Sequence, residues 1–215
     1  MFRARTSPAR IGVVVYEGVE PIDIGGTVGV VSMARRVLPA IEAVTIAASA
    51  GLVALAGGLT MVAGYGFADA PACDVHIITG GPGWRDQVTE PAMLGFIRSR
   101  PQGTIASVCT GALILGAAGV LDGHSATTRR HAVGAEPTAP LDLLTGLAKD
   151  LSPVAAAIVE DRGLVTGGGV SLAIDATLYL IGRIYGPEAR DDVAKVIEYD
   201  RAYAANRAAL GHVHR

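Results

Sequence analysis

The feature that most constrains the fold of this chain is a strand-like run that passes into a helix with no loop between them, at Cys109. Residues 104–109 are mostly apolar and partly β-branched, and residues 110–118 continue with a small-residue, Leu- and Ile-rich helical pattern. A direct turn from strand to helix strains its central residue and projects that side chain at the carboxyl edge of a sheet. The free N–H groups and dipole of the helix N-terminus favour an anion there. We therefore expect Cys109 to be a nucleophile that favours the thiolate.

Strands and helices alternate along the rest of the sequence. Besides the strand before Cys109, short apolar runs predict strands over 11–16, 44–48, 74–79, 125–128, 155–160 and 164–166, and a hairpin that turns at Gly57 and Gly58. Helical spacing predicts helices over 25–36, 90–98, about 170–184 and about 187–203, whereas residues 133–153 have no clear pattern. This alternation predicts an α/β sandwich with a mostly parallel central sheet.

Composition limits the classes of protein to which the chain can belong. Its 215 residues are 50% hydrophobic and 18% charged, which predicts one globular domain, residues 1–215. The net charge of −2 gives no electrostatic footprint for nucleic acid or for an anionic membrane. The uncharged stretch 43–68 holds five glycines and is too poor in aliphatic residues for a membrane span. Two cysteines, Cys73 and Cys109, argue against a disulfide framework, so we expect a soluble cytoplasmic protein.

Asp23 is the second candidate for chemistry. It lies in the turn from the first predicted strand to the first predicted helix, and in a parallel sheet this turn reaches the same edge as Cys109. An N-cap for the following helix is an equally good explanation of an aspartate here. Glu17 and Glu20 in the same turn are alternative carboxylates, which we expect to be solvated.

A glycine-rich loop, Gly80-Gly81-Pro82-Gly83, follows another predicted strand to the same edge. Residues without side chains let backbone N–H groups approach a ligand closely, as an oxyanion hole requires, although a plain turn also explains them. Dinucleotide and nucleotide phosphate-binding patterns are absent from the sequence. The run 167–169 before the long helix could hold an anion, but it more often lets a strand and a helix pack closely. Cys73 lacks the strand-to-helix context, and we interpret it as structural.

The five histidines give no metal-ligand pattern, because no two are suitably spaced with a third donor nearby. His76 lies inside a predicted strand and is expected in the core, whereas His212 and His214 lie in a tail. His124 or His131 could serve as the base of a Cys–His pair, but the spacing does not demand it. We therefore expect neither a metal nor a cofactor.

Together these motifs resemble a known family. The segment 107–128, SVCTGALILGAAGVLDGHSATT, resembles the nucleophile segment of the ThiJ/PfpI superfamily of class-I glutamine-amidotransferase-like proteins, and within it most of all the isocyanide (isonitrile) hydratases. Residues 16–26, 77–83 and 164–178 agree, and the likeness spans about 11–199. It implies a flavodoxin-like three-layer sandwich, a homodimer, Cys109 as nucleophile and Asp23 as its carboxylate neighbour.

The likeness also assigns residues around the nucleophile. Thr110 stands where many superfamily members have a histidine, so a Cys-His-Glu/Asp triad is not expected, and the hydratases show the same replacement. Backbone N–H groups around Gly80, Gly81 and Thr110 would hold developing negative charge. The chain departs from the hydratases after the next strand, where Arg129-Arg130 replaces their usual His-Trp.

The reaction implied is the hydration of an isocyanide, a small-molecule substrate, to an N-substituted formamide, which would make the protein a hydro-lyase. Cys109 would attack the terminal carbon and form a covalent thioimidate, while Asp23, hydrogen-bonded to the sulfur, would move the protons. Three alternatives stay open: a glyoxalase or deglycase, a redox sensor that oxidises Cys109, and a non-catalytic ligand-sensing domain like that of AraC-type regulators. No nucleic-acid or membrane partner is expected.

Overall fold

The computed structural model describes residues 1–215 as a large central sheet with helices on both faces. The strands are β1 (Ala9–Val14), β2 (Ile41–Ala47), β3 (Gly51–Ala54), β4 (Thr60–Ala63), β5 (Tyr65–Gly66), β6 (Val75–Ile78), β7 (Ile105–Ser107), β8 (Ser125–Ala126), β9 (Ser152–Pro153), β10 (Ile158–Asp161), β11 (Leu164–Gly167) and β12 (His212–His214). The helices are α1 (Pro21–Ile24), α2 (Val30–Ala34), α3 (Trp84–Gln87), α4 (Pro91–Arg98), α5 (Gly111–Ala117), α6 (Pro140–Leu143), α7 (Leu172–Tyr185), α8 (Pro187–Val196) and α9 (Asp200–Leu210).

The central sheet has eight strands in the order β12-β10-β11-β7-β6-β1-β2-β5. All neighbours are parallel except β10 and β11, which form an antiparallel hairpin. The expected α/β sandwich with a mostly parallel sheet is therefore confirmed. The strands β6 and β7 are buried along their whole length, which explains why they have no alternation of polar residues.

The topology places a crevice at the carboxyl ends of β1 and β6. From β1 the chain crosses to β2 on one side, and from β6 it crosses to β7 on the other. Because both crossovers are right-handed by rule, their helices lie on opposite faces of the sheet. Accordingly α2, α7 and α8 pack together, and α3 and α4 pack on α5. Open α/β sheets bind ligands where the strand order reverses in this way.

Several elements differ from the sequence prediction. The first helical segment begins at Pro21, not at residue 25, and passes through a π-helical turn, Gly25–Gly29, into α2. The helix expected over 187–203 is two helices, α8 and α9, because Glu198 between them has a φ of 53°. The helix α7 begins at Leu172 because Val170 has a φ of 57°.

Two segments for which the sequence predicts no helix or strand also form regular structure. Residues 133–153, for which no element was predicted, contain α6 and the short strand β9, which pairs with β8. The expected tail at His212 and His214 is the strand β12, which runs parallel to β10 with Ile158 opposite His212. The predicted hairpin is confirmed as β3 and β4.

One hydrophobic core of 51 buried residues extends from β1 to α9 and joins both helical layers to the sheet. His76 lies within this buried region with 2% of its surface exposed, as the sequence predicts. None of the helices combines the length and the apolar character that crossing a membrane would require.

Candidate active site

Cys109 occupies the turn between β7 and α5, and its backbone has a φ of 51°. This left-handed conformation costs a residue with a side chain about 1–3 kcal/mol and persists only where the surroundings enforce it. Here the Cys109 N–H donates to the Gly168 carbonyl at 3.0 Å, and the Thr128 hydroxyl donates to the Cys109 carbonyl at 2.5 Å. The strained strand-to-helix turn predicted from the sequence is confirmed.

The surroundings of Cys109 raise the pKa of its thiol above the ordinary value of 9.0. Burial, followed by the negative charge of Asp23, raises the pKa of Cys109 to about 11, although the N–H groups of Val170 and Thr110 donate to the sulfur and act in the opposite direction. Only 4% of the residue is exposed. The expectation of a lowered pKa is therefore wrong, because desolvation of the sulfur outweighs the helix N-terminus.

Asp23 is fully buried in the first turn of α1. Its Oδ2 accepts from the Gly80 N–H at 2.7 Å, while its Oδ1 has no partner. Burial raises the pKa of Asp23 to about 7. The N-cap interpretation is wrong, because the helix begins two residues earlier and the Asp23 side chain caps nothing. No hydrogen bond joins Asp23 to the Cys109 sulfur, contrary to what the sequence resemblance implies; Gly80 engages only Oδ2, and Oδ1 is left without a partner.

The glycine loop packs against the nucleophile turn more closely than a side chain would allow. A Cβ on Gly80 would lie 2.8 Å from the Cys109 Cβ, and Gly81 has a φ of 137°. The Gly80 N–H is occupied by Asp23, and the Gly81 N–H donates to the Thr110 hydroxyl at 2.9 Å. The two loop N–H groups expected to hold a substrate's negative charge are thus engaged inside the protein, whereas the Thr110 N–H faces the sulfur.

A cavity of about 240 Å³ contains Cys109, Thr110 and Gly81 in its lining. The other lining residues include Glu20, Trp84, Arg129, Val133, Glu136 and Val170. A larger cavity of about 610 Å³ lies between α8 and α9, but it contains none of the residues predicted for the site. The smaller cavity is the candidate site because the strained Cys109 lies in its lining, although its volume is the lower of the two.

Comparison with known proteins agrees with this geometry. A sequence model of the DJ-1/PfpI family matches residues 9–182, which include Asp23, Cys109 and the loop between β6 and α3. The chain belongs to the DJ-1/PfpI family. The expected likeness to ThiJ/PfpI proteins is therefore confirmed.

Individual DJ-1/PfpI relatives extend the comparison. The chain is 32% identical to an isonitrile hydratase of Pseudomonas putida over 88% of this chain and 78% of the relative. It is 29% identical to the HTH-type transcriptional regulator GbdR of Pseudomonas aeruginosa over 67% of this chain and 37% of the regulator. A ThiJ/PfpI protein from Pseudomonas syringae superposes with a TM-score of 0.76 at 28% identity, covering 91% of this chain and 76% of that one.

No histidine partners the cysteine in this DJ-1/PfpI protein. His124 is buried and contacts Gln102 and Asp161, and His131 is exposed. The Cys–His alternative therefore has no geometric support. Cys73 is half-buried, its thiol contacts the Pro71 carbonyl at 3.3 Å, and burial raises its pKa to about 11, in agreement with a structural role. No three side chains of His, Cys, Asp or Glu lie together as a metal ligand set.

Two charged residues in the cavity lining were missed or only partly recognised from the sequence. The sequence marks Arg129 only as a departure from the hydratase pattern, and nothing in it marks Glu136. In the structure the Arg129 Nη2 lies 2.7 Å from both oxygens of Glu136. Glu136 lies in the segment 133–153, where no periodic pattern exists, so no sequence signal could have placed it beside Cys109.

Proposed function

We propose that the protein is an isonitrile hydratase that converts an isocyanide to an N-substituted formamide. The observation that carries this proposal is the pairing of a strained, buried cysteine with a buried carboxyl group whose pKa is about 7, with no histidine at hand. Such a carboxyl group can both give and take a proton near neutral pH. The 32% identity to the isonitrile hydratase of Pseudomonas putida supports the same reaction.

The first half of the reaction joins the substrate to the enzyme. Burial raises the pKa of the Cys109 thiol, so its proton leaves as the sulfur attacks, and the unpartnered Oδ1 of Asp23 takes that proton. The sulfur bonds to the terminal carbon of R–N≡C, and Asp23 returns the proton to that same carbon. The product is the thioimidate R–N=CH–S–Cys109, which conserves every atom and charge. The N–H groups of Thr110 and Val170 stabilise the sulfur while it carries negative charge.

The second half releases the product. Asp23 takes a proton from a water molecule as the water oxygen bonds to the thioimidate carbon, and Asp23 then passes that proton to the imine nitrogen. The tetrahedral adduct R–NH–CH(OH)–S–Cys109 then collapses, the C–S bond breaks, and the hydroxyl proton passes to the sulfur through Asp23. The products are the formamide R–NH–CHO and the free thiol. No redox equivalent enters or leaves.

Three variants test the proposal with cyclohexyl isocyanide as the probe. Cys109→Ala removes the nucleophile and is expected to abolish formamide formation, whereas Cys73→Ser is the matched control and is expected to keep it. Asp23→Asn is expected to lower kcat by about 10²–10⁴-fold, because the variant loses its proton carrier. Formamide is measured by proton NMR and the covalent adduct by intact mass. Wild-type turnover by Cys109→Ala would refute the mechanism.

A second candidate function is ligand sensing without turnover. The identity of 29% to part of the regulator GbdR favours it, since the match covers 37% of that protein. A sensor would bind the isocyanide, raise its own Tm and release no formamide. A glyoxalase or deglycase would instead consume methylglyoxal. Burial of Cys109, with 4% of its surface exposed, limits the access of peroxide to the sulfur and so disfavours the redox-sensor alternative.

The expectations that the protein is cytoplasmic, a homodimer and a single domain belong to the same proposal. Light scattering coupled to size-exclusion chromatography measures the oligomeric state directly.

A further inference from the structure

The cavity beside Cys109 contains one cation, and that cation is already paired. Arg129 and Glu136 are largely buried, with 12% and 16% of their side chains exposed. The Arg129 Nη2 lies 2.7 Å from both carboxylate oxygens of Glu136, and the Arg129 Nη1 donates to the His131 carbonyl at 2.5 Å. The Val133 N–H also donates to Glu136, at 3.0 Å. This carboxylate is therefore held in a fixed position against the guanidinium.

The other charges around the cavity do not leave Arg129 free for an anion. Glu20 is a second carboxylate of the lining, so two acidic side chains share the cavity with one basic side chain. Arg85 approaches Glu136 only at 3.5 Å, and its guanidinium lies over the Trp84 ring at 4.9 Å. Asp23 adds a third carboxyl group beside the sulfur. Charge interactions between partly buried groups such as Arg129 and Glu136 are screened less than those at an open surface.

We propose that Glu136 is a specificity-determining residue that cancels the charge of Arg129 beside Cys109 and so restricts the cavity to small electrophiles without a negative charge. A substrate with a carboxylate meets Glu20 and Glu136 and finds no unpaired cation to offset them. As a statement about isocyanides this inference rests on the proposed function. As a property of the cavity it concerns any reagent that reaches the Cys109 sulfur.

Two alkylating reagents of nearly equal size test the cavity directly. Iodoacetamide is neutral and iodoacetate is negative, and both form a thioether with Cys109 and release iodide. The measured quantity is the ratio of their rates at Cys109, taken by peptide mass spectrometry and divided by the same ratio at Cys73. Changes in the thiol pKa affect both reagents equally and cancel in this ratio.

Opposite shifts are expected from the two halves of the ion pair. Glu136→Gln leaves the charge of Arg129 unbalanced, so the ratio moves toward iodoacetate by about fivefold. Arg129→Met removes the closer of the two cations of Glu136 and leaves only Arg85 at 3.5 Å, so the ratio moves further toward iodoacetamide. A purely structural loosening of the cavity would shift the two variants in the same direction or in neither.

A matched control keeps the test interpretable. Asp192→Asn removes the same charge from an exposed ion pair in which Arg5 and Asp192 of α8 lie 2.7 Å apart, and its ratio is expected to equal that of the wild type. Thermal unfolding verifies that each variant is folded. Less than a twofold shift in folded Glu136→Gln would overturn the inference, and so would a wild-type Cys109 that neither reagent modifies.

The methyl ester of isocyanoacetic acid and the free acid, present as its carboxylate, separate this inference from the proposed reaction. Formamide from the ester at more than about tenfold the rate of the acid supports both. Equal rates from the two compounds leave the hydratase standing and overturn the charge filter. If neither compound yields formamide while the alkylation ratios still shift as described, the proposed reaction fails and the charge filter stands.

Discussion

Asp23 makes the stability of the protein depend on pH. Its pKa is about 7 in the folded protein against an ordinary value of 3.8, so the folded state holds this proton more tightly than the unfolded chain. The buried carboxyl group therefore does not weaken the fold below pH 4, and the fold loses stability as the pH rises through about 7. The difference amounts to on the order of 4 kcal/mol.

The comparison of wild type with Asp23→Asn tests this prediction. The variant is expected to gain stability relative to the wild type between pH 4 and pH 8, because an amide does not ionise. Urea unfolding at several pH values measures the difference. A constant offset between the two proteins across this range would show that Asp23 is ionised in the fold at low pH.

The backbone conformation of Cys109 leads to a second prediction at the residue scale. With a φ of 51°, the site favours glycine over any residue that has a Cβ. Cys109→Gly is expected to be more stable than Cys109→Ala by about 1 kcal/mol in urea unfolding. The same exchange within α5, Ala112→Gly, is the control and is expected to destabilise the protein by about 1 kcal/mol. A Cys109→Gly variant less stable than Cys109→Ala would mean that the turn is unstrained.

The identity of the site residues could be predicted from the sequence, but their ionisation could not. Cys109 and Asp23 follow strands of a parallel sheet, and the position of a residue after such a strand is a local property. Their pKa values depend on how completely distant segments exclude water from them. The partners of the Gly80 and Gly81 N–H groups likewise depend on which loop lies opposite. No sequence signal could therefore predict that these N–H groups donate to Asp23 and Thr110.

At the scale of elements, a buried polar network joins α7 to the last helix. Asp175 in α7 is fully buried, and its Oδ2 accepts from the Tyr199 hydroxyl at 2.9 Å and from the Asn206 amide at 3.1 Å. Burial raises the pKa of Asp175 to about 6. A buried carboxyl group that loses a donor is costly because water cannot replace the donor.

Tyr199→Phe is therefore expected to destabilise the protein by about 1–2 kcal/mol and to loosen α9. Hydrogen exchange should speed up in the amides of α9 and of the strand β12 that follows it. Tyr65→Phe, in the edge strand β5, is the control because its hydroxyl makes no hydrogen bond, and it should leave these amides unchanged. Unchanged exchange in Tyr199→Phe would show that the apolar contacts alone hold α9.

Local sequence patterns predicted most of the helices and strands. The predictions failed where a single residue or a distant strand decides the structure. The strands β1, β6 and β7 are short, buried apolar runs, a pattern typical of strands in a parallel sheet. The helix α4 has a proline in its first turn, where proline is favoured. The break between α8 and α9 depends on a single residue, Glu198, whose neighbours continue a helical pattern. The strand β12 is two residues from a helix end and forms only because β10 offers it an edge.

For the whole molecule, the crossing pattern of the sheet explains where the chemistry lies. The segments that follow β1, β6 and β7 carry Asp23, the glycine loop and Cys109, and these three strands are neighbours. A carboxyl group, a nucleophile and the backbone that fixes them thus come from parts of the chain up to 86 residues apart, from position 23 to position 109. The lining residues Arg129 and Glu136 come from a separate irregular segment of the chain. The substrate specificity of the cavity can therefore vary while the nucleophile remains in place.

The strand β12 has a consequence for the behaviour of the protein at high concentration. It is the outermost strand and pairs with the main-chain N–H and C=O groups of β10. Without β12, those groups of β10 would be open to pairing with a strand of another molecule. The strand β12 is only three residues long; His212 packs against Tyr179 and Tyr203, and the exposed side chain is the imidazole of His214. Such a short, polar border is a poor template for fibril growth.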